Sequence, residues 1–440
     1  MKRKWSQFLL LVLGLTMTYN KTLAQKRIEK ILTINELFWL VKENHPSLKP
    51  YESDINIAKQ NTEVAKNQTL PEITTGLQAY YLGDSYVIDK DFSNSTRIKM
   101  PHFGNRFSLD ARQLIWKGNA VKNSIKIQTL REELAELNYQ TNEQNIRLLV
   151  LSYYLDLYKL INQEGVYLKN IELAEKRLQN INSYFEQGMV TRNDVIRGEL
   201  QISNLQLELQ VIQNNQQILN KQLCVALGLG DNVIIRPDKT IFDNLVQAEN
   251  IDYYQALSNE HPTVRLTQKA VDIYDVSAKI TKSEMLPSIS AFAGNSLQRP
   301  LVSSNPPLDM YSNGWSAGLA LNFNIDALFK TPKKLQVNKF EKERAANQAY
   351  EASQMIEIAV NSAFIKYNEA LSQNKTLKVN TDLTSENYRI MESKYNNQLA
   401  ILLDLIDASN AKLDAELQYS NSEINIVYNY YKLLKEAGNL

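Results

Sequence analysis

The chain has 440 residues, of which only 14 are Gly and 11 Pro. So few turn formers exclude a fold of many short elements and call for a few long ones. Lys and Arg number 49 against 48 Asp and Glu, so the basic footprint of a nucleic-acid-binding protein is absent. A single cysteine, Cys224, excludes a disulfide framework and a Cys-based zinc site. The three histidines, His45, His102 and His261, are far apart and argue against metal catalysis. With no phosphate loop, nucleophile elbow or zinc-protease motif, neither an enzyme nor a cofactor is expected.

Residues 1–24 read as a signal peptide. Lys2, Arg3 and Lys4 precede an apolar run from Phe8 to Met17, and Thr22-Leu23-Ala24 supplies small residues at −3 and −1. That run is too short to span a bilayer, which needs ~20 helical residues. No cysteine follows it, so no lipid anchor is expected. Cleavage removes four positive charges and no negative ones, taking +1 to −3.

Beyond the signal the chain repeats itself once. His45-Pro46 recurs as His261-Pro262 and Leu70-Pro71 as Leu286-Pro287, both 216 residues later. From there the offset is 210: Val150-Leu-Ser-Tyr-Tyr154 faces Val360-Asn-Ser-Ala-Phe364, Phe185 faces Tyr395, and Asp194-Val-Ile196 faces Asp404-Leu-Ile406. The expected organisation is a first repeat over 25–230, a linker over 231–250 and a second repeat over 251–440. Each repeat holds a β-hairpin (about 71–116 and 287–326) and a long helical hairpin (about 119–227 and 331–435).

The hairpin segments alternate with period two. Trp315, Ala317, Leu319, Leu321, Phe323 and Ile325 fall on one face, with Ser316, Gly318, Ala320, Asn322, Asn324 and Asp326 on the other. In the first repeat Phe107, Leu109, Ala111 and Ile115 alternate with Arg106, Ser108, Asp110 and Arg112. Ile73, Leu77, Ala79 and Tyr81, and Ile289, Ala291, Ala293 and Leu297, mark the partner strands, joined through polar loops at roughly 85–104 and 299–312. Four strands of this length match the ~9–11 residues of a tilted transmembrane strand. Apolar-out, polar-in alternation suits a barrel with a wet lumen. Tyr80, Tyr81, Phe103, Tyr311 and Trp315 at one end, and Trp116 and Phe329 at the other, fit aromatic girdles.

From Asn119 to Gln187 there is no Pro and a single Gly165; a helix of this length would extend ~100 Å. Ile171, Ala174, Leu178, Ile181 and Phe185 have coiled-coil spacing, as do Ile202, Leu205, Leu209, Ile212, Leu219, Leu223 and Ala226 after a turn at Gly188. The second repeat follows with Leu413, Leu417, Ile424, Val427, Tyr431 and Leu434, its tip near Gln398. Four strands in lipid leave two open edges, which hydrocarbon does not tolerate. Closure between chains is therefore expected, and three copies would give twelve strands with room for a channel.

In its two helix–hairpin–long-helix halves and its tip sequences, the chain resembles the TolC family of outer-membrane efflux proteins. The most specific elements are Tyr184-Phe185-Glu-Gln-Gly188 with Asp194-Val195, and Tyr395 with Asp404-Leu-Ile-Asp407-Ala408. The resemblance implies a mainly α fold with a membrane β-barrel part: a homotrimeric twelve-stranded barrel set on a twelve-helix periplasmic tunnel. It also implies an outer-membrane location and two partners, a periplasmic adaptor (membrane fusion) protein and an inner-membrane transporter of the RND, ABC or MFS type. By position, Asp404 and Asp407 correspond to aspartates at the tunnel's entrance, where three copies would gather six carboxylates. Asp194 and Tyr395 belong to the same region. The family usually has Gly where Gln398 stands and a basic residue where Ala400 stands, and Arg192 is a candidate replacement for the latter. Expected function is thus passive export of small molecules, drugs or metal ions through an exit duct. A type I protein secretion duct, or a coiled-coil scaffold without a pore, stands as the alternative.

Overall fold

The computed structural model describes residues 28–238, 240, 247–304 and 307–440. The expected signal segment and part of the 231–250 linker lie outside the described residues.

The chain enters through β1 (Ile28–Leu32) and α1 (Ile34–Asn44). Thr33 starts α1 with a reciprocal cap: its hydroxyl accepts from the Glu36 N–H, and the Glu36 carboxylate accepts from the Thr33 N–H. At the His45-Pro46 break the His45 Nδ1 accepts from the Ser47 N–H at 3.2 Å, turning the chain into α2 (Lys49–Lys66). His261 does the same in the second repeat, accepting from Thr263 at 3.1 Å. Both His-Pro sites are therefore caps that bend the chain.

After α2 come β2 (Glu72–Tyr81), β3 (Ser85–Ile88), β4 (Ser95–Ile98) and β5 (Phe103–Trp116). The expected polar loop at roughly 85–104 thus holds a small antiparallel ladder, β3 with β4. Tyr86, Val87 and Ile88 supply strand-forming residues, the Asp84–Arg97 ion pair closes the open end, and Asp91 accepts from the Ser93 N–H at the turn.

The first long hairpin is α3 (Ala120–Glu186) with α4 (Arg192–Ala226), followed by β6 (Val233–Pro237), which pairs in parallel with β1. Then come α5 (Ile251–Ser258), α6 (Pro262–Ser283), β7 (Ser288–Arg299), β8 (Ser312–Asn322), α7 (Ala327–Asn396) and α8 (Leu402–Glu436). The helical hairpins of the two repeats match closely, 67 and 35 residues against 70 and 35. Their size explains the scarcity of Gly and Pro. Among the described residues no helix is long and apolar enough to cross a membrane.

Strands β2, β5, β7 and β8 form one antiparallel sheet in that order, so both open edges are outer strands of the hairpins. The long helices form a second layer: α3 packs on α4, α7 on α8, and α3 on α8, giving the lateral order α4-α3-α8-α7. Seam positions Ile171, Ala174, Ile181, Leu205, Ile212 and Leu223 are buried, as are Leu413, Ile424 and Val427. Halfway along, α1, β1 and β6 pack on α3 and α4 around Leu37, Val150, Leu151, Tyr154, Leu227 and Ile235. Tyr154 donates to the Leu32 carbonyl at 2.6 Å and accepts from the Asp238 N–H, tying the helix to both short strands. Burial pushes its hydroxyl pKa upward.

Three expected details change. Phe185 is 41% exposed instead of seam-buried. The seam ends one turn earlier, with Ile181 against Val195, because the chain beyond is already turning. Phe323 and Ile325 lie past the end of β8, whose last paired residue, Asn322, faces Ser288. Pro287 precedes Ser288 and has no N–H to continue the ladder. Finally, α7 begins at Ala327 and runs through Pro332 in its second turn, where the sequence suggested a start at 331.

Candidate functional site

The sheet sorts its residues by face. Residues opposite one another in antiparallel strands share a side, so the register puts Ile73, Leu77, Phe107, Leu109, Leu297, Trp315, Leu319 and Leu321 together. This face is covered by nothing among the described residues: Leu77 is 80% exposed, Trp315 81% and Leu319 71%. Phe323 continues it beyond the strand end at 42%. So large an unpartnered apolar surface marks an interaction with lipid or protein.

The opposite face is polar and unusually small. One register line reads Gly76, Ser108, Ser296 and Gly314, and β8 presents Ser312, Gly314, Ser316, Gly318 and Ala320 to that side. Its aromatic residues lie over glycines of the next strand. A Cβ on Gly104 would come within 2.2 Å of the Tyr80 ring, and one on Gly318 within 3.0 Å of Phe292. Arg106 donates to the Ser296 hydroxyl at 3.1 Å. Small residues thus share this side with Tyr80, Arg106 and Phe292.

The outer helices are unpartnered in a matching way. On α4, Leu200, Leu207, Val211, Ile218 and Val225 are exposed, spaced by three, four or seven residues or multiples of these, on the side turned away from the α3 seam. On α7 the same holds for Ile358, Ile365, Val379, Leu383 and Ile390, opposite Val360, Ala363, Tyr367, Ala370 and Tyr388. These two stripes have no partner among the described residues, although α7 also packs on α5 and α6 along its other side.

At the far end the two hairpins meet. Gly188 and Gln398 both take left-handed backbone, φ 72 and 61, closing the two tips alike. Asp194 occupies the first turn of α4, accepting from the Thr191 N–H at 2.9 Å and its hydroxyl at 2.7 Å. Asp404 is its counterpart on α8 but accepts only from the Ile401 N–H, at 3.3 Å, since Ile401 has no hydroxyl. Asp407 is exposed on the same helix, one turn along. Arg192 pairs with Glu199 at 3.8 Å and makes no ion pair with Asp194. Tyr395 is buried among Ile181, Val195, Leu402 and Leu405, and its hydroxyl has no hydrogen-bond partner among the described residues. Burial raises its pKa, and the Asp194 carboxylate adds to the shift.

Sequence reasoning missed the residue that joins these helices. Arg177 of α3, only 7% exposed, donates to Gln201 of α4 at 2.9 Å, to the Tyr388 hydroxyl of α7 at 3.2 Å and to Ser409 of α8 at 3.3 Å. It also sits over the Tyr388 ring, 5.8 Å from the centroid, while Lys412 approaches the same ring at 4.9 Å. The Tyr388 hydroxyl donates onward to Glu392 at 2.9 Å. One guanidinium therefore reaches all four helices. Nothing in the sequence distinguishes it from a surface arginine beside a seam.

Comparison with known proteins agrees with this architecture. A family model described as "Outer membrane efflux protein" matches residues 253–439. The outer membrane efflux protein BepC of Brucella suis is 20% identical, over 90% of this chain and 83% of its own length. The outer membrane protein TolC of Salmonella enteritidis is 20% identical, over 98% and 86%. Among solved structures, the outer membrane protein VceC of Vibrio cholerae superposes with a TM-score of 0.74 at 13% identity, covering 92% of this chain and 96% of that one. In its fold, in the family-model match over 253–439 and in relatives that align along nearly the whole chain, this protein is similar to the outer-membrane efflux proteins of the TolC family.

Proposed function

We propose that three copies of the chain close edge to edge into a continuous duct. The duct would serve as the outer-membrane exit of an efflux pump, with a periplasmic adaptor and an inner-membrane transporter supplying contact and energy. The observation that carries this reading is the agreement of the two layers. The sheet is open at β2 and β8, and the helical layer carries bare apolar seams on α4 and α7. In each layer one edge belongs to the first repeat and the other to the second. A single rotation joining β8 to the next copy's β2 can thus also set α7 against the next copy's α4, a heterologous contact that closes as a ring.

The inner face favours three copies. Eight strands give an interior that side chains must fill, and the line of Gly76, Ser108, Ser296 and Gly314 adds little to filling it. Twelve strands leave an aqueous lumen. The apolar face with Phe107, Leu109, Trp315, Leu319 and Leu321 then meets lipid, and Asp404 and Asp407 stand in three copies around the mouth formed by the helix tips. Planar-bilayer recording tests the reading. Wild-type protein should conduct and prefer cations, and Asp404→Ala/Asp407→Ala should weaken that preference. A protein that inserts but never conducts contradicts the duct.

A further inference from the structure

The junction between sheet and helices has a charge pattern that the fold itself does not use. From 117 to 130 the chain carries Lys117, Lys122 and Lys126 and no acid, and from 327 to 340 it carries Lys330, Lys333, Lys334 and Lys339 and no acid. These stretches open α3 and α7. Lysines there oppose the helix dipole, whose positive end is the N-terminus. The other tip and entry helices do the reverse, with Glu36, Asp194, Asp252 and Asp404 in their first turns. Some junction lysines are neutralised, Lys330 by Asp326 and Lys334 by Glu284. Lys117, Lys122, Lys126, Lys282 and Lys333 have no ion-pair partner among the described residues, and all five are exposed.

Apolar surface accompanies the charge. A bulge between Leu114 and Trp116 ends β5, leaving Ile115 57% and Trp116 40% exposed. They line a groove of about 690 Å³ with Val121, Ile125, Lys117 and Lys122. A second groove of about 450 Å³ adjoins it at Asn119 and holds Lys279, Lys282 and Leu286. Gly118 and Asn119, with φ 53 and 62, turn the strand into the helix between the two. The apolar wall is the lower end of the face that carries Phe107 and Leu109.

We infer that this junction binds anionic phospholipid of the bilayer leaflet facing the periplasm, the acyl chain lying on Ile115 and Trp116 and the phosphate held by Lys117, Lys122 and Lys282. The inference rests on the sheet being the membrane-embedded part. Continuity with the apolar sheet face puts the groove at the acyl–headgroup boundary, where aromatic residues and lysines with long apolar stems both fit. The unpaired positive charge favours an anionic headgroup over a zwitterionic one, whose own ammonium group cancels it.

The test is native mass spectrometry of the assembled protein released from nanodiscs holding phosphatidylglycerol and phosphatidylcholine of identical chains. Wild type should retain phosphatidylglycerol selectively. Lys117→Ser/Lys122→Ser/Lys282→Ser should lower that retention on the order of 100-fold, about fivefold per lysine. The corresponding triple Arg variant should keep it, and Lys90→Ser/Lys99→Ser, beyond the opposite end of the strands, should leave it unchanged. Equal retention of the two lipids, or an unaltered preference in the triple Ser variant, overturns the inference. So does inorganic phosphate binding the lipid-free assembly at these lysines. The same spectra count chains: three chains without lipid preference sink this inference alone, whereas loss of the trimer sinks the duct reading beneath it.

Discussion

Placing charge in the bare seam of α4 should take the assembly apart without unfolding the chain. Leu207 is 62% exposed and Ile218 56%, both on the side away from α3. Fully burying such a side chain is worth about 1.5–3 kcal/mol, so the area still open on each offers roughly 1–2 kcal/mol at an interface. Two residues give roughly 2–4 kcal/mol per contact, and three contacts in a ring roughly 6–12 kcal/mol per trimer. Leu207→Glu/Ile218→Glu forfeits this and adds the cost of dehydrating two carboxylates. The seam to α3, through Leu205, Ile212 and Leu223, is untouched, so helix content should persist. Sedimentation velocity in mild detergent should show the variant as single chains at concentrations where wild type is assembled. Leu383→Glu/Ile390→Glu on α7 should do the same, because it attacks the other side of the same contact. Unchanged assembly in both variants would refute the edge-to-edge arrangement.

Gln398→Gly should stabilise the tip by about 1 kcal/mol, read as a higher denaturant midpoint at an unchanged m-value, since Gly takes the left-handed backbone without strain. A fall instead would mean that the Gln398 contact with the Met189 sulfur, at 3.7 Å, outweighs the strain. Arg177→Met removes three hydrogen bonds and a ring contact at once. Amide exchange should accelerate on both tips by roughly 2–3 kcal/mol of local stability while β1 and β6 stay protected, and uniform protection would deny Arg177 its joining role. Burial lowers the His261 pKa below 6.5. The unfolded chain therefore takes up its proton first, so stability should be whole above about pH 6.5 and decline as pH falls from there toward the folded value. His261→Asn, which keeps a capping acceptor, should flatten that part of a urea-midpoint-against-pH curve; an identical slope in the variant would assign the loss elsewhere.

Long-range regularities were easy to read in this sequence, and local ones were not. A helix of 67 residues announces itself through the absence of Gly and Pro over the same span. Period-two alternation similarly exposes the β8 face from Trp315 to Leu321. The strand's end is not legible that way, because Phe323 keeps the alternation while the ladder stops for want of an N–H on Pro287, far away in sequence. The β1–β6 pairing joins residues about 200 apart and follows no local pattern; β6 falls in the stretch that the sequence marks only as a linker. At the tip, Asp194, Asp404 and Tyr395 were visible as positions. Their partners were not, because caps and buried contacts depend on how neighbouring helices meet. Arg177 is the extreme case, since its importance lies wholly in three side chains from three other helices.

The most direct test of the central claim is the stoichiometry of the protein extracted from outer membranes, read by native mass spectrometry in mild detergent. Ring closure of four strands and two bare helical seams per chain requires three chains per particle, in a single dominant species. A soluble monomer or a dimer would contradict it, because either leaves the small inner residues unpacked or the seams on α4 and α7 in water.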